Sequence, residues 1–576
     1  MLGFRMVFVS PLRRSILLTL SLLSACAAAD VTSNSTPMTP DAPRIRPTGA
    51  PGAYLGGRFA AAEGNASRAT DLFLEALQRE PGNPDMQLQA FLASVMAGRP
   101  EAPRLALAVQ NNMVAQLVLG NADAKAGRWG AAEGRFAALA KQGPSQLLQP
   151  LLVAWAQQGG GRTDAAVATL KPLTEGQRFR GGYALHAAMI ADLADREADA
   201  NRLYKVAQTD SGGLNLQLAR ILASWEVRQN RTPMAQQILA TLQDNSGDIA
   251  IAVPALYKAA GTRPVRNAAD GMAETYLALA GALRGQENNE LALAMLRLAL
   301  DLRPDLSVAR LLSADILDAG KHPEIAVEML RPVADTDPLI AVVRLRQAAL
   351  SERTGQSDTA LRLIDQVAAE NPDRPEPWSM RGDILRGQRK FPEAVKAYDE
   401  AVSRVPRPTA ANWPLFYERG IALERSQNWP RAEADFQRAL ELSPDEPYVL
   451  NYLGYSWTEQ NKNLPKARQM IERAVEQRPN DGAVIDSLGW VVLRQGNVGE
   501  AVKLLQRATE LQPADATVNF HLGDAYWAAG RKLEAQFQWR RSLNLSPEPD
   551  DVPRLEAKLR ESEIALGNLP PQKPMP

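Results

Sequence analysis

Residues 453–513 read LGYSWTEQNKNLPKARQMIERAVEQRPNDGAVIDSLGWVVLRQGNVGEAVKLLQRATELQP, and the stretch says the same thing twice. Leu453-Gly454 returns as Leu488-Gly489, Ala467 as Ala501, and Pro479 as Pro513. Ala501, Leu505 and Ala508 are four and three residues apart, which puts them on one face of an α-helix. Pro513 then ends that helix, because proline has no N–H to give and clashes with the turn before it. The glycine belongs to a preceding helix, where it costs about 1 kcal/mol against alanine. Its return at one phase implies a close approach of two helices, where a methyl group would not fit.

The pattern extends in both directions. Prolines fall at Pro304, Pro338, Pro372, Pro406, Pro444, Pro479, Pro513 and Pro547, spaced 34, 34, 34, 38, 35, 34 and 34 residues apart. Ahead of them lie the sets Ala394-Tyr398-Ala401, Ala432-Phe436-Ala439 and Ala535-Trp539-Ser542, with Ala467 at the same place in its own unit. Gly382, Gly420, Gly454, Gly489 and Gly523 mark the first helix of each unit. Pro392, Pro430 and Pro465 sit near the start of each second helix, where a missing N–H is harmless. The N-terminal half keeps the period more loosely, through Ala69-Phe73-Ala76-Pro81, Ala132-Phe136-Leu139-Pro144, and Ala166, Ala200 and Ala235. Residues 84–117 and 248–271 drift from it. The count comes to 12 or 13 helix pairs.

A 34-residue, two-helix unit with these glycines, alanines and prolines resembles the tetratricopeptide repeat. That resemblance implies an all-α solenoid, a right-handed superhelix of antiparallel helix pairs. Each pair would expose an apolar face that only its neighbours cover, so the core should run along the stack. The division expected is a signal segment at 1–25, a lipidated cysteine and flexible tether at 26–50, and divergent helix pairs at 51–271. A regular array follows at 272–550, then a capping helix at 551–566 and a disordered tail at 567–576.

Lys+Arg and Asp+Glu balance at 65 each, which argues against a phosphate backbone as the main partner. Cys26 is the single cysteine, so no disulfide forms within the chain. Arg13 and Arg14 precede an apolar run, Ser15 to Leu23, too short to cross a bilayer as a helix. Two cleavage readings follow. Ala25 and Ala27 fit a small-residue site that would discard Cys26. Leu23-Ser24-Ala25-Cys26 resembles the bacterial lipobox, which implies a lipidated Cys26 as the first mature residue. Ala27 in place of an aspartate then favours the outer membrane over the inner, with a periplasm-facing body; the other reading leaves a soluble periplasmic protein. Residues 27–50 are poor in large apolar side chains and suit a tether.

Motifs for chemistry are missing. His186, His322 and His521 are far apart and none has metal-ligand spacing. No phosphate-binding loop, dinucleotide fingerprint or nucleophile elbow occurs. The expectation is a non-enzymatic chain without cofactor, metal or nucleic acid. Trp413 lies by the one four-residue insertion, RPTAANWPLF, and an insertion in a solenoid maps to an edge that can bind. Trp457 and Trp527 follow their repeat glycines by three and four residues and could pack internally or line the concave surface.

Leu453-Gly454-Tyr455, Asp486-Ser487-Leu488-Gly489-Trp490 and His521-Leu522-Gly523-Asp524 look like a group of proteobacterial outer-membrane repeat lipoproteins. One kind in that group binds and activates a periplasmic carboxy-terminal processing protease, a serine protease, and delivers substrates to it. The resemblance implies an adaptor of that sort, anchored by lipid. A part in polysaccharide export or outer-membrane assembly is the rival reading, and a hydrolase the remote one.

Overall fold

The computed structural model describes residues 49–567 apart from 141, 177, 178 and 246. Arg13, Arg14, Leu23, Ser24, Ala25 and Cys26, nearly all of the tether and all of the tail but Gly567 lie outside the described residues. Among those described, the regular structure is thirty α-helices and two short 3-10 segments. The chain is an all-α solenoid of paired antiparallel helices. Its described residues form two compact units, divided between residues 426 and 427. The first helix, Gly49–Ala62, begins two residues inside the span read as tether, and the last, Val552–Ala565, falls within the expected cap.

The helix boundaries follow from the residues at them. Asp481 accepts from the N–H groups of Ala483 and Val484, and Asp515 from that of Val518, pairing amides that the first turn leaves open. Pro392, Pro430 and Pro465 each occupy the first turn of a helix. Helices Trp429–Leu442, Leu464–Gln477 and Val498–Leu511 all stop two residues before Pro444, Pro479 and Pro513. Helices Phe391–Ser403 and Lys532–Asn544 stop three residues before Pro406 and Pro547.

Within a pair, the repeat glycine lies against the aromatic or aliphatic residue sixteen positions on. A Cβ on Gly382 would lie 2.5 Å from the Tyr398 ring, on Gly489 2.6 Å from Leu505, and on Gly523 2.4 Å from Trp539. Gly57 with Phe73 and Gly120 with Phe136 repeat the contact in the first unit, at 2.7 and 2.3 Å. Gly454 meets Ile471, seventeen residues on, because one residue is inserted in that turn. Ala394, Ala432, Ala467, Ala501 and Ala535 are wholly buried, as small side chains at a helix crossing must be. The drifting segments are helical and hold short elements beside the full-length Pro84–Ala97: Ala102–Ala106 is five residues, and a 3-10 segment at Gly247–Ala252 leads into Val253–Ala259.

The first unit departs from a stack that touches only its neighbours. Helix Ala268–Arg284 packs on Ser145–Gly159 and on Arg180–Leu193. Helix Asn289–Leu302 packs on Pro84–Ala97 and Met113–Lys125. The early helices therefore curl around this later pair. A Cβ on Gly271 would lie 2.3 Å from the Trp155 ring, so only glycine admits the contact.

Candidate partner-binding surfaces

The junction inside the first unit is polar and fully paired at its centre. Tyr276 donates to Asn121 Oδ1 at 2.9 Å, and Asn121 Nδ2 donates to the Leu298 carbonyl at 3.3 Å. Lys125 and Asp301 form an ion pair at 2.7 Å across the same seam. The Trp155 indole N–H donates to His186 Nδ1 at 3.0 Å. An indole can only donate, so Nδ1 accepts and the imidazole is neutral. Burial pushes the His186 pKa down to about 4, which agrees with that tautomer.

Two carboxylates flank this centre. Glu274, with no exposed surface, accepts from Gln217 Nε2 at 2.7 Å, from Arg303 Nη1 at 3.2 Å, and from Arg220. Asp192 takes Arg228 Nη1 at 2.9 Å, Arg263 Nε at 3.1 Å and the Tyr204 hydroxyl at 3.2 Å. Burial, then the charge of Asp192, raises the Tyr204 pKa well above its ordinary value. Each carboxylate thus ties together helices that are distant in sequence. These groups hold the fold, with the Nε of Arg220 and of Arg303 buried without a hydrogen bond, and the inner face here is filled by the chain's own helices.

The second unit gathers the residues that set its sequence apart. His521 Nδ1 lies 2.8 Å from Asp486 Oδ2, and the imidazole stacks on Trp490 at 4.1 Å with planes 12° apart. Tyr455 stands 6.1 Å from His521, and the Trp490 indole donates to Glu459 at 2.7 Å. Asp524 accepts from the Trp539 indole at 2.9 Å and pairs with Lys558 of the last helix at 3.2 Å. Burial works to lower the His521 pKa, but Asp486, Glu459 and Asp524 outweigh it and hold it above the ordinary value. Burial raises the Asp486 carboxyl against the pull of His521. His521 and Asp486 are 2% and 1% exposed, so this cluster locks three successive repeats together and is not an open contact surface.

The tryptophans divide by exposure. Trp457 is buried, and its indole donates to Glu433 at 2.8 Å. Trp527 is half-buried, its ring 5.4 Å from that of Trp539. Trp413 is half-buried and opens helix Trp413–Arg425, directly after a 3-10 turn whose Thr409 and Asn412 cap one another. Trp413 belongs to the first unit, Trp457 and Trp527 to the second. Sequence reasoning weighed His186 only for metal-ligand spacing and missed Glu274 and Asp192, because, Tyr204 aside, their partners lie 29 to 89 residues away. AADGMAETYLALAGALR carries Asp270, Glu274 and Arg284 along one side, as a half-exposed helix would, so the burial of Asp270 and Glu274 was not legible locally.

The fold and these packed junctions define a helical-repeat scaffold. Residues 417–482 and 487–541 match a family described as tetratricopeptide repeat, and residues 265–412 match the tetratricopeptide repeat-like domain. Residues 265–541 thus carry tetratricopeptide repeats. A stretch of 91 residues is 31% identical to human tetratricopeptide repeat protein 13, covering 16% of this chain and 10% of that protein. The chain is also similar to Cut9–Hcn1, an APC/C hetero-tetramer, at 15% identity over 88% of this chain and 95% of that one, with a TM-score of 0.39. Yeast Tom70 gives 15% identity over 79% and 96%, with a TM-score of 0.34. Among the described residues no group of three or more His, Cys, Asp or Glu is placed to hold a metal, and no helix is long and apolar enough to cross a membrane.

Proposed function

We propose that this chain is an adaptor, tethered by a lipidated Cys26 to the bacterial outer membrane, that gathers a periplasmic protein partner. The observation that carries the reading is the repeat array at 265–541, whose helix pairs are stabilised by their neighbours and leave outer and edge side chains free for a partner. Tethering raises the partner's effective concentration at the membrane without any new contact. Of the aromatic residues, Trp413 and Trp527 keep part of their surface in water and are the side chains assigned to partner contact, while Trp457 packs beneath. The partner class favoured by Tyr455, Asp486, Trp490 and His521 is a carboxy-terminal processing protease, with the chain delivering substrates and degrading nothing alone.

Crosslinking in cell-envelope fractions followed by purification of this chain tests the proposal. Recovery of a periplasmic serine protease, with purified chain inert towards protein substrates, supports it. Recovery of large membrane export or assembly proteins in place of a protease would overturn the protease assignment and favour the export reading. The anchor has its own test in the intact mass of the mature chain beside Cys26→Ala.

A further inference from the structure

Helix Gly49–Ala62 opens the first unit and turns Ala50, Ala53, Gly57 and Ala60 toward helix Ala66–Arg79. Its other stripe is Pro51, Leu55, Phe59 and Ala62, spaced four, four and three residues apart and exposed throughout. Leu55 and Phe59 keep 67% and 69% of their surface in water, with Arg58 between them the one charge of the stripe. The end helix of a repeat array has no neighbour beyond it and ordinarily carries a polar outer face. The closing helix, Val552–Ala565, follows that rule, with Arg554, Glu556, Arg560 and Glu561 outward. The opening helix does not.

The chain ahead of this helix indicates what covers it. Cys26 stands 23 residues before Gly49. A chain of that length spans at most about 75–85 Å even when fully extended. The opening helix is therefore the part of the first unit held nearest to any surface that holds residue 26. Residues 40–62 contain Arg44, Arg46 and Arg58 against Asp41 alone, an excess of positive charge suited to anionic headgroups. An apolar stripe with Leu and Phe flanked by arginine is the make-up of a helix that lies in a membrane interface.

We propose that the Pro51–Leu55–Phe59–Ala62 stripe is a second, reversible membrane contact, resting in the headgroup region of the leaflet that holds residue 26. Leu55 and Phe59 reach the acyl chains and Arg58 meets lipid phosphates. The contact would fix the orientation of the first unit on the membrane, which a tether alone leaves free. It rests on the lipid anchor proposed above, and the experiment separates the two.

Phe59→Cys in the full chain, labelled with an environment-sensitive fluorophore, is reconstituted into vesicles of phosphatidylethanolamine and phosphatidylglycerol at three to one. A label at Lys503→Cys, exposed in the second unit, serves as reference. The expected result is a blue shift at position 59 with quenching by nitroxide-bearing acyl chains, and neither at 503. In chain whose intact mass shows acyl groups, absence of both signals at 59 overturns the stripe and leaves the anchor standing. A mass without acyl groups overturns the anchor alone; the label is then read in vesicle excess, and an unshifted spectrum there overturns the stripe as well. A shift without vesicles that grows with protein concentration would assign the stripe to a second copy and overturn the proposal. In unlipidated chain, Leu55→Ser is expected to lower vesicle partitioning about tenfold.

Discussion

Gly523 and Gly134 are both helical glycines, and their surroundings give them opposite roles. A Cβ at Gly523 would sit 2.4 Å from the Trp539 ring, which cannot retreat because its indole is fixed to Asp524. Gly523→Ala is expected to destabilise the second unit by about 1–3 kcal/mol, the usual cost of overpacking. Gly134, in helix Trp129–Ala137, has open space around its Cβ position, so Gly134→Ala should stabilise the first unit by about 0.5–1 kcal/mol. Urea titrations of the two variants check the pair, and equal signs would refute the close-approach account. The glycines of the regular repeats could be read from sequence because each returns at one phase. Gly271 could not, since its partner Trp155 is 116 residues earlier and belongs to no period.

At the scale of the element, helix Ala268–Arg284 shows what periodicity conveys and what it omits. Its helical character and its pairing with Asn289–Leu302 follow from local spacing. Its burial against Ser145–Gly159 does not, because a repeat pattern encodes contacts between neighbours only. Glu274 makes the difference measurable. It lies between Arg220 and Arg303, both largely buried; removing it takes the carboxylate from Arg220 and leaves Arg303 with only the longer pairs to Asp305 at 3.4 Å and Asp270 at 4.0 Å. Glu274→Ala is expected to cost about 3–5 kcal/mol, far above the fraction of a kcal/mol typical of an exposed ion pair. Glu328→Ala, which breaks the exposed pair with Arg331, is the matching control and should cost about 0–1 kcal/mol. Comparable losses in denaturant titrations of the two variants would mean that Ala268–Arg284 is an ordinary outer helix. The second unit was the more readable of the two. Tyr455, Asp486, Trp490 and His521 stood out as sequence, and they meet because they occupy successive repeats at similar phase.

For the whole molecule, the two buried histidines make opposite contributions to acid stability, one in each unit. His186 is neutral in the folded first unit, with a pKa of about 4 against an ordinary 6.5. A depressed value means that the unfolded chain binds the proton first, so stability is lost as pH falls from 6.5 toward 4. The 2.5-unit difference, at about 1.4 kcal/mol per unit, amounts to about 3 kcal/mol. His521 and Asp486 both have raised values, so the folded second unit binds protons more tightly than the unfolded chain. The stability from His521 is full below pH 6.5 and is lost as pH rises through its folded value; that from Asp486 is lost as pH climbs above 3.8. Each unit has its own core, and differential scanning calorimetry of the full chain should resolve two transitions. In the first unit burial raises the Glu418 carboxyl to about 7, so the folded state takes up its proton as pH falls from 7 toward 4.5, which works against His186. The His186 loss is therefore read between pH 7 and 5 as the difference between His186→Gln and the wild-type chain, while the second unit's transition should hold or rise. His186→Gln should remove the acid-side loss from the first transition and leave the second unchanged, whereas His521→Gln should flatten only the second. Should His186→Gln keep the wild-type pH slope, burial does not hold that imidazole neutral in the folded first unit, and the account of its inner junction fails with it.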